Sequence, residues 1–329
     1  MNIAIVILNW NGKKLLEQFL PSVVEHSQDA TIYVADNAST DDSVEYLKSS
    51  FPSVRIIQNS ENGGYAKGYN DALKQVEEDV FCLMNSDIEV TNNWLSPIVE
   101  TFNSDSNIAI IQPKILDFNN KSYFEYAGAA GGFIDKYGYP YCRGRIFNTV
   151  ERDDGQYDEL SNIFWSSGAC LFIRKRVFED LNGLDEAYFA HMEEIDLCWR
   201  AKNLGYDVKY VGTSTVYHIG GATLKNSNPK KTFLNFRNSL YNIVKNAQGN
   251  LFILILIRLI LDGIAGIKFI FEFKFVHCMS IIRAHFSFYK HLSTLLKKRK
   301  TLTQSKHYYY LNSIVWSYFI KRKRDFNRL

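Results

Sequence analysis

Four short stretches put acidic or imidazole side chains directly after apolar runs or at the start of a helical pattern. In "VFCLMNSDIEV" (80–90) mostly apolar residues run into Asn85, Ser86 and Asp87. A carboxylate delivered by a strand end is a hard oxygen ligand for a metal ion. The same Asn-Ser-Asp also makes an ordinary turn, because such side chains bond back to nearby backbone. Asp36 follows "TIYVA" (31–35) and could accept a hydrogen bond from a nucleotide base or ribose, while Ser39 or Thr40 would suit a helix N-cap. "HMEEIDLCWR" places Glu193, Glu194 and Asp196 at the start of a helix expected over 192–205. The helix dipole alone favours acids there by ~0.3–1 kcal/mol. The catalytic use would be a general base, with Asp196 orienting the helix or raising the base's pKa by like charge. His218 in "VYHIGGATL" could offer imidazole to a divalent metal or simply pack.

Those residues need elements to hold them. Apolar runs at 3–8, 31–35, 54–58, 80–84 and 108–112 read as strands, and amphipathic stretches at 14–26, 42–50, 65–76 and 94–103 read as helices. Strands alternating with helices imply βαβ units and a mostly parallel sheet. Ligands in such sheets sit outside the carboxyl ends of the strands. The loops "NWNG" with Asn9, "DNASTDD", "NSENGGYAKGYN" and "NSD" are then expected on one rim. The third loop lacks the G-x-G-x-x-G spacing and follows the third strand, which argues against a dinucleotide dehydrogenase. Its glycines, Gly64 among them, could still let backbone approach a ligand, with Asn70 a turn or two into the helix. Residues 114–165, rich in Gly and Tyr, read as long loops or a small irregular sheet that could form part of an acceptor pocket.

Charge is unevenly spread. Residues 1–249 carry 23 Lys/Arg against 32 Asp/Glu, a balance of −9, whereas residues 250–329 carry 15 against 3, a balance of +12. An acidic body with a basic, aromatic-rich tail points to a surface-seeking appendage and away from a nucleic-acid partner. The five scattered cysteines form no CxxC pair, which fits reduced thiols and no zinc framework. The opening "MNIAIVILNWNGKK" reads as a core strand, with no basic leader ahead of its short apolar run. In the tail, "LFILILIRLILDGIAGIKFIFEFKF" (251–275) is strongly apolar, yet Arg258, Asp262, Lys268, Glu272 and Lys274 interrupt it. Charges at a membrane centre cost ~2.5–3.5 kcal/mol each on insertion scales. An interfacial helix, flanked by "KHLSTLLKKRK" and "IKRKRDF" facing anionic lipid, is expected; the alternative is a helical unit packed on the body or on a second subunit.

Seven motifs in order, "VILNWNG", "VADNASTDDS", "NGGYAKGYN", "LMNSDIEV", "SGACLFIRKRVFEDLNGLDEAYF", "MEEIDLCWRAKNLGY" and "VYHIGGAT", resemble the family 2 glycosyltransferases, in particular the rhamnosyltransferase-like branch that builds bacterial surface polysaccharides. The likeness spans residues 2–246. It implies the GT-A fold, an α/β sheet flanked by helices. The nucleotide-binding part would cover 1–112 and the acceptor-binding part 113–248, followed by a helical extension over 249–329. By this resemblance Asp36 contacts the donor's base, and Asn9, Gly64, Asn70, Asn85 and Ser86 line the nucleotide site. Asp87 is the metal-binding end of the Asp-x-Asp motif, and Glu194 is the catalytic base with Glu193 and Asp196 in support. His218 reaches the metal or diphosphate. Arg237 could assist the diphosphate, but reads first as a helix-surface arginine. Asn85 departs from the strict motif, since an amide is a neutral and weaker ligand than a carboxylate. Glu194 stands where many relatives carry aspartate.

The implied reaction is inverting transfer of a sugar from a UDP- or dTDP-sugar to a hydroxyl of a saccharide or lipid-linked saccharide, assisted by Mg²⁺ or Mn²⁺. The implied setting is the cytoplasmic face of the inner membrane, with peripheral attachment and a homodimer through the C-terminal region as a further option. Two other classes share features with this reading. A sugar-nucleotidyltransferase has a similar sheet and acidic site but would show a Gly- and Arg-rich loop after the first strand, for which "LNWNGKKL" is a poor candidate. A non-catalytic sugar-nucleotide-binding protein would keep the scaffold without the base.

Overall fold

The computed structural model describes residues 1–220, 228–299 and 308–329. The first part alternates as the apolar periodicity predicts: β1 (Ile3–Asn9), α1 (Lys13–His26), β2 (Ala30–Asp36), α2 (Ser43–Ser50), β3 (Arg55–Gln58), α3 (Gly64–Leu73) and β4 (Val80–Asn85). The strands β3, β2, β1 and β4 lie side by side and all parallel. Successive side chains of β1 face opposite sides of the sheet. Ala4 and Val6 meet α3 residues Ala66 and Tyr69 in one core, and Ile3, Ile5 and Ile7 meet α1 residues Leu16, Leu20 and Val23 in the other. A strand buried on both faces reads as a continuous apolar run, and β1 is apolar from Ile3 to Leu8.

β5 (Ile88–Val90), α4 (Ser96–Ser104) and β6 (Ile108–Asp117) follow. The stretch expected to be loops or a small sheet contains β7 (Gly132–Ile134), β8 (Pro140–Cys142), β9 (Arg145–Ile146) and β10 (Thr149–Val150), a separate antiparallel sheet. Then come β11 (Leu160–Asn162), β12 (Cys170–Arg174), α5 (Lys175–Asp180), α6 (Glu193–Asn203) and β13 (Asp207–His218). β12 runs antiparallel between β4 and β6, so the main sheet is mixed. Parallel pairing resumes between β6 and β13, and β5 and β11 pair antiparallel with β13.

The chain continues into α7 (Pro229–Asn246), α8 (Leu251–Phe271) and α9 (Phe275–Lys298). Two of the charges that interrupt the apolar run of α8 turn inward. Arg258 and Asp262 are buried and bonded to each other at 2.8 Å. Arg258 also reaches Ser239 Oγ at 2.7 Å, and Asp262 accepts from the Tyr139 hydroxyl at 2.8 Å. The inner side of α8 is therefore packed on the body. Among the described residues no helix is long and apolar enough to cross a membrane.

Candidate active site

The carboxyl ends of β2, β1 and β4 form one rim. Register sets Asn9 beside Asp36 and Leu8 beside Asn85, and adjacent strands stand ~4.8 Å apart. Asp36 is buried; its Oδ1 accepts from Asn9 Nδ2 at 3.0 Å and its Oδ2 from the Ser39 backbone N–H at 2.9 Å. Asn11 Oδ1 accepts from the Thr40 N–H at 2.7 Å, so the first two loops are tied together. The buried Oδ1 of Asn9 has no partner and remains an open acceptor beside Gly12. Ser86 Oγ lies close to the same glycine, 3.8 Å from where a Gly12 Cβ would stand.

The third loop touches the approach to α6. Gly64 has φ +79°, and a Cβ there would lie 2.7 Å from the Phe189 carbonyl oxygen, so only glycine fits. Asn70 has both ends of its carboxamide engaged within the protein: Nδ2 donates to Leu184 O at 2.9 Å and Oδ1 accepts from Leu184 N–H at 2.9 Å. It braces α3 against the 184–186 turn.

Asp87 and His218, distant in sequence, meet. Antiparallel pairing of His218 with Ile88 brings imidazole Nε2 to 3.1 Å from Asp87 Oδ1, and Asn85 Nδ2 lies 3.4 Å from the same nitrogen. The other ring nitrogen, Nδ1, stands 3.5 Å from Glu125 Oε2 without hydrogen-bond geometry. All three ionisable side chains are buried. Burial alone would lower the imidazole pKa, but the two carboxylates outweigh it and push it up to about 10. Glu125 was absent from the sequence candidates because it sits in the irregular 114–165 stretch, where no periodicity marks it. The continuation of the "VYHIGGAT" motif past Gly220 lies outside the described residues.

Glu193 and Glu194 open α6. Burial raises Glu194 to about 7, against the pull of backbone amides at the helix start. Glu193 is 4 % exposed with an unpartnered Oε2, and burial followed by the Glu194 charge lifts it well above the usual carboxylate range. Asp196 behaves oppositely. Burial would raise it, but Arg200 at 2.8 Å and Lys245 at 2.7 Å hold it ionised and low. It faces this buried cluster and anchors α6 to α7.

The segment before α6 is held by α7. Phe189, His191 and Met192 adopt φ of +65°, +68° and +74°, which side-chain-bearing residues rarely do. Asn238 Nδ2 donates to the carbonyls of Tyr188, Ala190 and His191, Asn242 Nδ2 to Met192 O, and Asn246 Nδ2 to Asp196. Asn238, Asn242 and Asn246 recur every four residues in "NSLYNIVKN", a face of poor helix formers visible in the sequence. Arg237 joins the same clamp, its guanidinium reaching Ala187 O at 3.2 Å and Tyr188 O at 3.1 Å.

Glu194 and the Asp87 cluster share a border. Asn85 N–H donates to Ala169 O at 2.9 Å, and the Tyr65 hydroxyl donates to Gly168 O at 2.7 Å. A Cβ on Gly168 would stand 3.7 Å from Glu194 Cβ. Residues 168–169 therefore touch the end of β4 on one side and the start of α6 on the other. Among the described residues no group of three or more His, Cys, Asp or Glu side chains could by itself hold a metal ion.

A mixed α/β sheet with carboxylates gathered on the rim of its parallel half is the GT-A glycosyltransferase architecture, and solved structures of that class superpose on it. GalNAc-T7 with UDP, GalNAc and Mn²⁺ aligns with TM-score 0.58 at 18% identity, over 74% of this chain and 48% of that one. This chain thus spans about half the length of that enzyme. The mannosyltransferase of Pyrobaculum calidifontis in complex with GDP-Man and Mn²⁺ aligns with TM-score 0.55 at 11% identity, over 88% and 87% of the two chains. The sequence profile of Glycosyl transferase family 2 matches residues 4–181, and the chain belongs to that family. It is similar to the N-acetylglucosaminyl-diphospho-decaprenol L-rhamnosyltransferase of Mycobacterium tuberculosis, 24% identical over 65% of this chain and 75% of the relative. It is also similar to the low-salt glycan biosynthesis hexosyltransferase Agl10 of Haloferax volcanii, 22% identical over 61% and 62%.

Proposed function

We propose that this glycosyltransferase moves a sugar, with inversion, from a UDP- or dTDP-sugar to a hydroxyl of a saccharide or lipid-linked saccharide in surface polysaccharide synthesis. The observation that carries the reading is the shared border at residues 168–169, which sets Glu194 next to the strand end leading to Asp87 and His218. Asp36, Asn9, Gly64, Asn85 and Ser86 would form the nucleotide site, with the buried Asn9 carboxamide holding the Asp36 carboxylate.

Glu194 would accept the acceptor hydroxyl's proton as that oxygen attacks the anomeric carbon. The bond from that carbon to the diphosphate oxygen breaks, and the electron pair leaves with the nucleoside diphosphate. A base of this kind contributes ~10²–10⁴-fold in rate. Glu193 stands beside Glu194, its carboxyl lifted above the usual carboxylate range by burial and by the Glu194 charge. Asn70, Asp196 and Arg237 would position the loops and helix that carry these groups.

The donor set fits a divalent cation. Asp87 Oδ1 and His218 Nε2 stand 3.1 Å apart, close to the ~3 Å between neighbouring ligands of an octahedral ion, and an ion would bind there by displacing the proton that the two now share. With only these two the remaining positions would fall to substrate oxygens and water, as is usual for Mg²⁺ at phosphate sites. Such an ion, Mg²⁺ or Mn²⁺, would neutralise the leaving diphosphate. The Mn²⁺ in the GalNAc-T7 and mannosyltransferase structures supports this choice. The likeness to an enzyme named for a diphospho-decaprenol acceptor supports a lipid-linked saccharide, met at the cytoplasmic face of a membrane where the protein is peripherally attached.

A calorimetric screen of nucleotide sugars with and without Mn²⁺, followed by transfer assays on Glu194→Gln, tests the proposal. Donor binding that survives the substitution while transfer and donor hydrolysis vanish supports it. Undiminished turnover removes Glu194 as the base, and nucleotide binding without any turnover in the native chain leaves a binding protein.

A further inference from the structure

α8 has its polarity reversed relative to a helix lying on a body in water. Its buried stripe is Leu254, Arg258, Asp262 and Gly266, one residue every four. Its outer side from 252 to 267 presents Phe252, Leu256, Ile260, Ile264 and Ile267, and no charged residue is exposed there. The turn into α9 extends this surface, with Phe271 79% and Phe273 83% exposed. Lys268 Nζ sits 5.3 Å from the ring of Phe319, which joins the end of α8 to a second apolar group, exposed Trp316, Phe319 and Ile320. A continuous apolar surface of this kind marks an interaction site.

Charge identifies the occupant. The tail's three acids are all matched: Asp262 by Arg258, Glu272 by Lys268 and Lys274, and Asp325 by Arg328. Lys321, Arg322 and Arg324 stand exposed directly after Ile320. A second copy docked on this face would oppose two tails that each carry a balance of +12. A bilayer with anionic headgroups accepts both the apolar side chains and the positive charge, and long basic side chains reach the phosphates from such a position.

We infer that the outer face of α8, its turn into α9 and residues 316–324 form a membrane-docking surface for anionic phospholipid, on which the protein lies without spanning. This deepens the membrane attachment proposed above. It stands apart from the transfer chemistry, since vesicle binding is measured without donor or acceptor.

The test is co-sedimentation of the full chain with phosphatidylcholine vesicles, with and without phosphatidylglycerol, alongside light scattering of the free protein. Pelleting is expected with phosphatidylglycerol and weakens as salt rises. Phe271→Asp with Phe273→Asp lowers partitioning at least ~10-fold. Lys321→Gln with Arg322→Gln lowers it ~10-fold on the anionic vesicles alone. Both pairs are exposed, and unchanged melting and nucleotide binding verify that the variants fold. No pelleting of the native chain, or pelleting that neither pair alters, overturns the inference. A dimer that dissociates in the Phe271/Phe273 variant, without vesicle binding, assigns the face to a second copy instead.

Discussion

Asn238 Nδ2 donates to the His191 carbonyl oxygen at 2.7 Å, pinning α7 to the segment that delivers Glu193 and Glu194. Positive φ at three non-glycine residues, Phe189, His191 and Met192, stores of order 1–3 kcal/mol each, and such strain persists only where surroundings enforce it. Asn238→Ala removes the enforcing donors. We expect kcat to fall ~10–100-fold, the loss typical of an ångström-scale misplacement, while KM for the donor stays near the native value. Equal changes in kcat and in the fraction of folded protein would reduce Asn238 to a purely stabilising part.

As the proposed base, Glu194 would work only when ionised, and burial places its pKa at about 7. Raised pKa means the carboxyl stays protonated further up the pH scale, so kcat/KM should fall tenfold per unit as pH drops below about 7 and level off above it. Glu194→Gln should flatten that acid limb and lower kcat by ~10²–10⁴-fold. A native profile that stays flat down to about pH 5 would sink the assignment.

Asp87→Ala should abolish the gain in nucleotide-sugar affinity that Mn²⁺ provides and leave metal-free binding almost intact. Titration calorimetry with and without the metal separates the two. Equal Mn²⁺ enhancement in native and substituted chains would remove Asp87 from the metal site.

The ion pair of Arg258 and Asp262 is buried at 3% and 0% exposure of the side chains. Asp262→Ala strands a guanidinium away from water, which costs ~3–5 kcal/mol. Replacing both residues by methionine should cost far less, because no charge is left unmatched. Denaturant unfolding of the two variants gives the comparison, and equal losses would contradict it.

Much of the site's scaffold is legible in the sequence. The alternation of apolar runs and amphipathic stretches marks β1–β4 and α1–α3 to within a few residues, because both periods are local properties of the chain. The rim carrying Asn9, Asp36 and Asn85 follows from those strands. The antiparallel β12 in the middle of the sheet does not, since strand order depends on which distant segments pair.

By itself, then, the sequence determined the α/β class, the family, the strand ends and the acidic opening of α6, all carried by neighbours along the chain. Tertiary structure alone decided that His218 stands between Asp87 and Glu125, that Asp196 faces Arg200 and Lys245, and that Arg258 and Asp262 point inward. Those outcomes rest on register between remote strands and on which side of a helix finds cover. A buried charge goes where partners wait: Asp196 and Asp262 each find one a helical turn away, in Arg200 and Arg258, and another tens of residues off, in Lys245 and Tyr139.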